Sequence, residues 1–229
     1  MSETTDKTIH REFELERMIL FSDAVFAIAI TILVIEIKFP ELPENYKESL
    51  DLMKLFKPTL KEAIGFFASF FFIGVSWARH LKMFRYLKAY DGGVIFRNLL
   101  SLLFIVTFPF AASGLTHFKE GFSFPYVIYL GNLMFVFSSN FLLAHYIFKQ
   151  NPQLSVAGHE AEKNYIYLQS KFIAIALVAS FVIVLTTFIL SHNNNEYVTL
   201  SFASFILFMA LVRRLLKKHK PKKETAFGN

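Results

Sequence analysis

Not one of the 229 residues is a cysteine, which excludes disulfides, thiolate metal sites and thiol nucleophiles. Charge is scarce as well. Asp, Glu, Lys and Arg make up 18% of the chain, where a soluble domain carries about 25%. What charge there is collects at the ends and in short connections. Also missing are a Gly-rich phosphate loop, a His-Glu-x-x-His zinc helix, a Gly-x-Ser-x-Gly nucleophile elbow and a Thr-Val-Gly-Tyr-Gly carbonyl filter. Enzymatic chemistry is therefore not expected, nor is a cofactor.

Apolar residues, by contrast, reach 54% with 29 Phe, and the mean hydropathy is +0.43. This is the composition of a chain whose solvent is lipid. Six stretches approach the ~20 residues that a hydrocarbon core requires: Met18–Ile37, Ala63–Phe84, Val94–Leu115, Pro125–Phe148, Phe172–Ser191 and Val198–Leu216. An all-α, polytopic membrane fold follows. The first stretch is too long for a signal peptide and lacks a small-residue cleavage site, so it is expected to stay in the mature chain. Within 38–62, apolar Leu50, Met53, Leu55 and Phe56 suggest a short helix lying at the interface. The polar segment 149–171 is expected to continue helices into water. No internal repeat is visible.

Lys and Arg fall unevenly on the two sides of these spans, 18 against 6. The richer side holds the N-terminal segment, the second and fourth connections and the C-terminal tail, so both termini are expected in the cytoplasm. In that tail Arg213, Arg214, Lys217, Lys218, Lys220, Lys222 and Lys223 directly follow an apolar helix. Such a cluster meets anionic headgroups. No stacking aromatics accompany it in a soluble module, and nucleic acid is not an expected partner.

A few polar groups sit at membrane depth, where they are costly and need partners. Asp23 lies about a turn inside the first span. It either ties helices together through Ser22, Arg17 or a neighbouring His, or handles a proton or ion directly. Trp77 and His80, three apart on the second span, share a helical face at the same depth. A bond from His80 to the Ser22/Asp23 region satisfies all three costly groups together. Farther along the first span, Ile28, Thr31, Ile32 and Ile35 fall on one stripe at ~100° per residue, with Asp23 about 140° away. Periodicity in an all-apolar helix does not choose between packing, lipid contact and a pore. Phe21 lies on the same stripe.

Arg17-x-x-x-Phe21-Ser22-Asp23, then Trp77-x-x-His80-x-x-x-Phe84, then Asp91 and Asn98-Leu99-Leu100 leading to Pro109-Phe110, together resemble the transmembrane protein 175 family of potassium channels in its bacterial single-repeat form. The likeness covers essentially all six spans. It implies a homotetramer in a bacterial plasma membrane, with four first helices around one axis and no re-entrant loop. Ile28 would form the narrowest ring, Thr31 a hydroxyl layer where potassium binds, with Ile32 and Ile35 above. Arg17, Ser22, Asp23, Trp77 and His80 would brace that helix. Potassium and other monovalent cations would be the permeant ions, and Glu36 would either draw cations to the outer mouth or pack between helices. The organisation expected is an N-terminal segment 1–16, a channel domain 17–216 and a basic tail 217–229. The rival reading is a proton-coupled secondary transporter that uses Asp23 and His80 as a relay.

Overall fold

The computed structural model describes residues 2–40, 52–117, 123–190, 201 and 203–220, without the side chains of 2–12, 36 and 54. Leu50, the side chain of Glu36 and the start of the sixth expected span at Val198, all named above, therefore lie outside what is described. Among the described residues there are seven α-helices: α1 (Ser2–Ile32), α2 (Leu52–Phe84), α3 (Gly92–Val106), α4 (Phe108–His117), α5 (Phe124–His145), α6 (Glu160–Leu190) and α7 (Ala203–His219). Five stretches are long and apolar enough to cross a membrane: Phe13–Ile35, Leu55–Phe84, Gly92–Leu115, Phe124–Gln150 and Glu160–Leu190. The described part of α7 runs for 17 residues beside them. Apart from an isolated bridge, no strand occurs among the described residues.

Two elements differ from the sequence expectation. The separate interfacial helix does not exist as such: Leu52–Phe84 is one helix of 33 residues, and Met53, Leu55 and Phe56 form its first turns. Pro58 falls early enough in α2 that the lost N–H bond does not break the helix, and Thr59 and Glu62 anchor this end. Thr59 Oγ1 donates to the Lys38 carbonyl at 3.0 Å, and the Lys38 N–H donates to Glu62 Oε2 at 3.0 Å. The third span, in turn, is two helices, because Pro109 offers no N–H to continue the ladder. Thr107 fills the gap. Its hydroxyl donates to the Phe104 carbonyl and accepts from Asn132 Nδ2 at 2.7 Å.

The bundle is held by two apolar cores. The larger joins Phe26, Ala29 and Leu33 of α1 to Ile73, Leu102, Ile105, Phe108 and facing residues of α5, α6 and α7. Gly131 on α5 lets Phe181 of α6 approach closely; a Cβ there would stand 3.0 Å from the ring. The smaller core gathers Met83, Phe84, Leu87, Val94, Leu143, Ile147 and Leu154 at the end of the bundle where the α2–α3 and α5–α6 connections meet. There the two connections pair through backbone: Lys88 and Ala89 N–H donate to the Leu154 carbonyl, and Val156 N–H to the Tyr86 carbonyl. Lys163, almost wholly buried, closes the junction by donating to the Val156 carbonyl at 3.0 Å and to Glu160.

Candidate functional site

α1 has two faces of opposite character. Ser22, Phe26, Ala29 and Leu33 are buried against the bundle. On the other side Arg17, Phe21, Ala24, Ile28, Thr31, Ile32 and Ile35 are exposed, with Ile28 58% and Phe21 54% accessible. The last turn tightens into a 3-10 helix over Leu33–Glu36. Residues three apart eclipse in that geometry, which keeps Ile35 above Ile32. Thr31 Oγ1 donates to the Ile28 carbonyl at 2.8 Å. Its one proton is thus satisfied within the helix, and the oxygen lone pairs are left on the exposed side.

Behind this face lies a polar brace. Ser22 Oγ donates to the Met18 carbonyl at 2.9 Å and accepts from Asn98 Nδ2 at 2.9 Å. Asn98 Oδ1 is 2.8 Å from His80 Nε2. Since Asn98 spends its amide N–H on Ser22, its oxygen accepts, and His80 carries the proton on Nε2. Phe84 stacks on the imidazole at 4.0 Å between centroids, and Phe26 tilts against it. His80 Nδ1 is buried with no hydrogen-bond partner. Beside this chain, Trp77 Nε1 donates to Asp23 Oδ1 at 2.8 Å. α1, α2 and α3 are thereby tied at one level, through a buried chain of Ser22, Asn98 and His80 and a more exposed bond between Trp77 and Asp23.

Ser22, Asp23, Trp77 and His80 are thus brought together, though not by the bond foreseen from sequence. His80 reaches Ser22 through Asn98 and does not touch Asp23. Arg17 stands apart from the brace. Six residues before Asp23, it projects about 120° away around the helix, and it lies near the Phe13 ring at 6.0 Å on the exposed face. The residue that sequence reasoning left without a role is Asn98, and an amide inside a third apolar span was its signal.

A second polar cluster sets the start of α3. Asp91 caps the helix, accepting from Val94 N–H at 2.9 Å, and Tyr146 Oη donates to its other oxygen at 2.8 Å. Arg97 lies over the Tyr146 ring at 3.9 Å and donates to the Gly93 carbonyl. Partial burial works to raise the Asp91 carboxyl. The Val94 and Gly93 N–H groups, the Tyr146 hydroxyl and Arg97 outweigh it, and Asp91 is held below the usual carboxylate value. From α1, Glu14 accepts a hydrogen bond from Tyr90 at 2.5 Å, which fastens the helix to this connection. No cluster of three potential metal-ligating side chains exists among the described residues.

Residues 17–109 match the family described as endosomal/lysosomal potassium channel TMEM175. A potassium channel of Chryseobacterium sp. (strain P1-3) is 30% identical over 155 residues, covering 66% of this chain and 75% of that protein. A potassium channel of Chamaesiphon minutus is 33% identical over 105 residues, 46% of this chain and 51% of the other. The Bos taurus endosomal/lysosomal proton channel TMEM175 is 29% identical over 120 residues, 49% of this chain but 24% of its own length. In fold, the chain is similar to the crystal structure of a lysosomal potassium-selective channel TMEM175 homolog from Chamaesiphon minutus. The TM-score is 0.64 at 23% identity, with 90% of this chain and 96% of that one covered. With five described stretches fit to span a bilayer and relatives named as channels rather than enzymes, this multi-pass membrane protein belongs to the TMEM175 family.

Proposed function

We propose that the chain is a passive, potassium-permeable channel, a homotetramer whose conduit is lined by the exposed face of α1. Ile28 forms the constriction, Thr31 the oxygen layer that meets potassium, and Ile32 and Ile35 the wall beyond. The observation that carries this reading is the orientation of Thr31. Its proton is bonded to the Ile28 carbonyl and its lone pairs face away from the subunit's own core. A cation on a shared axis needs acceptors presented in that way. The potassium-channel names of the bacterial relatives supply the ion.

An aliphatic ring offers nothing to replace an ion's water, so a narrow Ile28 ring closes by dewetting and opens by widening. Discrimination then falls to the hydroxyls and is modest. The brace of Ser22, Asp23, Trp77, His80 and Asn98 holds the first half of α1 at a fixed depth and rotation. With both termini in the cytoplasm of a bacterial plasma membrane, as the Lys/Arg bias favours, the brace lies toward the inner mouth. Residues 17–216 form the channel domain in this reading.

The transporter alternative draws little from the geometry. Asp23 and His80 make separate hydrogen bonds, one to Trp77 and one to Asn98, with no relay between them. Protons remain candidate permeant ions for a different reason, because the vertebrate relatives are named proton channels. Purified protein in planar bilayers tests the proposal. Unitary currents that reverse near the potassium equilibrium potential support it; reversal that follows an imposed pH gradient at fixed potassium assigns the current to protons instead. Slow, saturable flux without unitary steps contradicts a channel.

A further inference from the structure

Among the described residues, Arg79 is a cation in the helical bundle with no ion-pair partner. It sits on α2 five residues before Phe84, about 7–8 Å along the axis from the helix end. An arginine at this depth ordinarily snorkels outward to water. Arg79 instead turns between three helices: Nη2 donates to Ser170 Oγ of α6 at 3.1 Å, and the guanidinium lies 5.6 Å from the Phe137 ring of α5. Ser170 is neutral. Nε is buried and has no hydrogen-bond partner. Of the five N–H donors a guanidinium presents, one is engaged in the fold.

Among the described residues of the helices packed around it, no acid lies where it would neutralise this charge. α5 (Phe124–His145) contains neither Asp nor Glu, and on α2 the only one is Glu62, seventeen residues back. On α6 the acids are Glu160 and Glu162, eight or more residues from Ser170 and so about 12 Å or more along the helix. Asp23, on α1, is engaged by Trp77. One turn beyond Arg79, the exposed Lys82 adds a second cation, with no polar contact among the described residues. Arg79 as a whole is half-buried, so part of the side chain reaches the outside of the bundle beside α6. An uncompensated guanidinium at membrane depth is costly unless an anion meets it.

We propose that the α2–α6 junction carries an anion site centred on Arg79 and flanked by Lys82, built for a phosphate group. Its planar fork suits a phosphate oxygen pair, and Lys82 supplies the second charge. The phosphate comes from a lipid headgroup seated at the junction or from free phosphate in the cytoplasm. The site stands apart from the α1 face and does not depend on which ion the protein conducts.

Detergent-purified, delipidated protein is titrated with phosphatidylglycerol, with phosphate-free diacylglycerol and with inorganic phosphate, and binding is followed by native mass spectrometry and thermal stability. Wild type is expected to retain one more phosphatidylglycerol per chain than Arg79→Gln and to bind it about tenfold or more tightly, with no such difference for diacylglycerol. Inorganic phosphate that both stabilises wild type and displaces the lipid identifies the free anion as the source. Phosphatidylglycerol binding that persists in excess phosphate identifies the headgroup. Identical phosphatidylglycerol and phosphate responses in wild type and Arg79→Gln overturn the site. Should Arg79→Gln fail to fold, Lys82→Gln, on an exposed side chain without polar partners among the described residues, carries the test. Weakened phosphatidylglycerol or phosphate binding supports the site and unchanged binding overturns it.

Discussion

His80 Nε2 and Asn98 Oδ1 stand 2.8 Å apart at the centre of a chain that ends on the Met18 carbonyl of α1. One amide therefore satisfies two helices at once. Replacing Asn98 by Leu strands both the His80 N–H and the Ser22 hydroxyl oxygen in an apolar setting. The expected cost is about 1–3 kcal/mol, above the ~0.6 kcal/mol average for an interhelical hydrogen bond in a membrane. Thermal unfolding in detergent reads it. A melting curve for Asn98→Leu that overlays wild type removes the brace from the account.

Trp77 is the only tryptophan in the sequence, so intrinsic fluorescence reports a single site. Its N–H is bonded to Asp23, and 39% of the residue is exposed. Asp23→Ala should shift the emission maximum by removing the charged acceptor, while Thr31→Ala, about 12 Å farther along α1, should leave the spectrum unchanged. Equal spectra for wild type and Asp23→Ala would show that the bond is not formed.

The start of α3 depends on a glycine for reasons of space. A Cβ at Gly93 would stand 2.2 Å from the Tyr146 hydroxyl oxygen and 2.3 Å from the adjoining ring carbon. Gly93→Ala is expected to cost about 1–3 kcal/mol through overpacking. Tyr146→Phe will not relieve it, because the ring carbon remains. Tyr146→Ala should, and a Gly93→Ala/Tyr146→Ala pair whose costs simply add would refute the contact.

Asp91 gives the same junction a pH dependence. Its carboxyl lies below the ordinary value of 3.8 in the folded chain, with partial burial outweighed by the Val94 and Gly93 N–H groups, the Tyr146 hydroxyl and Arg97. A lowered folded pKa contributes stability that is full above the unfolded value. That contribution fades as pH falls below the unfolded value and is gone beneath the folded one. Wild type should therefore lose more stability than Asp91→Asn between about pH 5 and pH 2. Parallel melting-temperature profiles for the two proteins would exclude the effect.

The spans were legible because a lipid solvent demands long apolar runs, and nothing shorter or more polar satisfies the backbone. The end of the third span was less so. Pro109 was visible, but where a proline stops a helix and where it only kinks it depends on a neighbour such as Asn132, which caps Thr107 from another helix. Met53, Leu55 and Phe56 read as an interfacial helix because their polar companions looked like a boundary; no residue between them and Ala63 breaks the turn, and α2 runs through. Ser22, Asp23, Trp77 and His80 announced themselves as polar residues in apolar helices. Asn98 carried the same signal, yet its place as the link between Ser22 and His80 is set by how α1, α2 and α3 cross. The pairing of Lys88 and Ala89 with Leu154 is made by backbone alone and leaves no side-chain pattern to read.

The most direct test asks whether the exposed face of α1 meets water or lipid. Because the chain has no cysteine, Ile28→Cys creates a single thiol, and Phe67→Cys places a control on an exposed apolar position of α2. A charged, water-soluble thiol reagent added to channels conducting in bilayers should modify Ile28→Cys and reduce its potassium current, and leave Phe67→Cys unaltered. An Ile28→Cys protein that conducts normally and resists the reagent as Phe67→Cys does would place that face against lipid, and contradict a pore lined by α1.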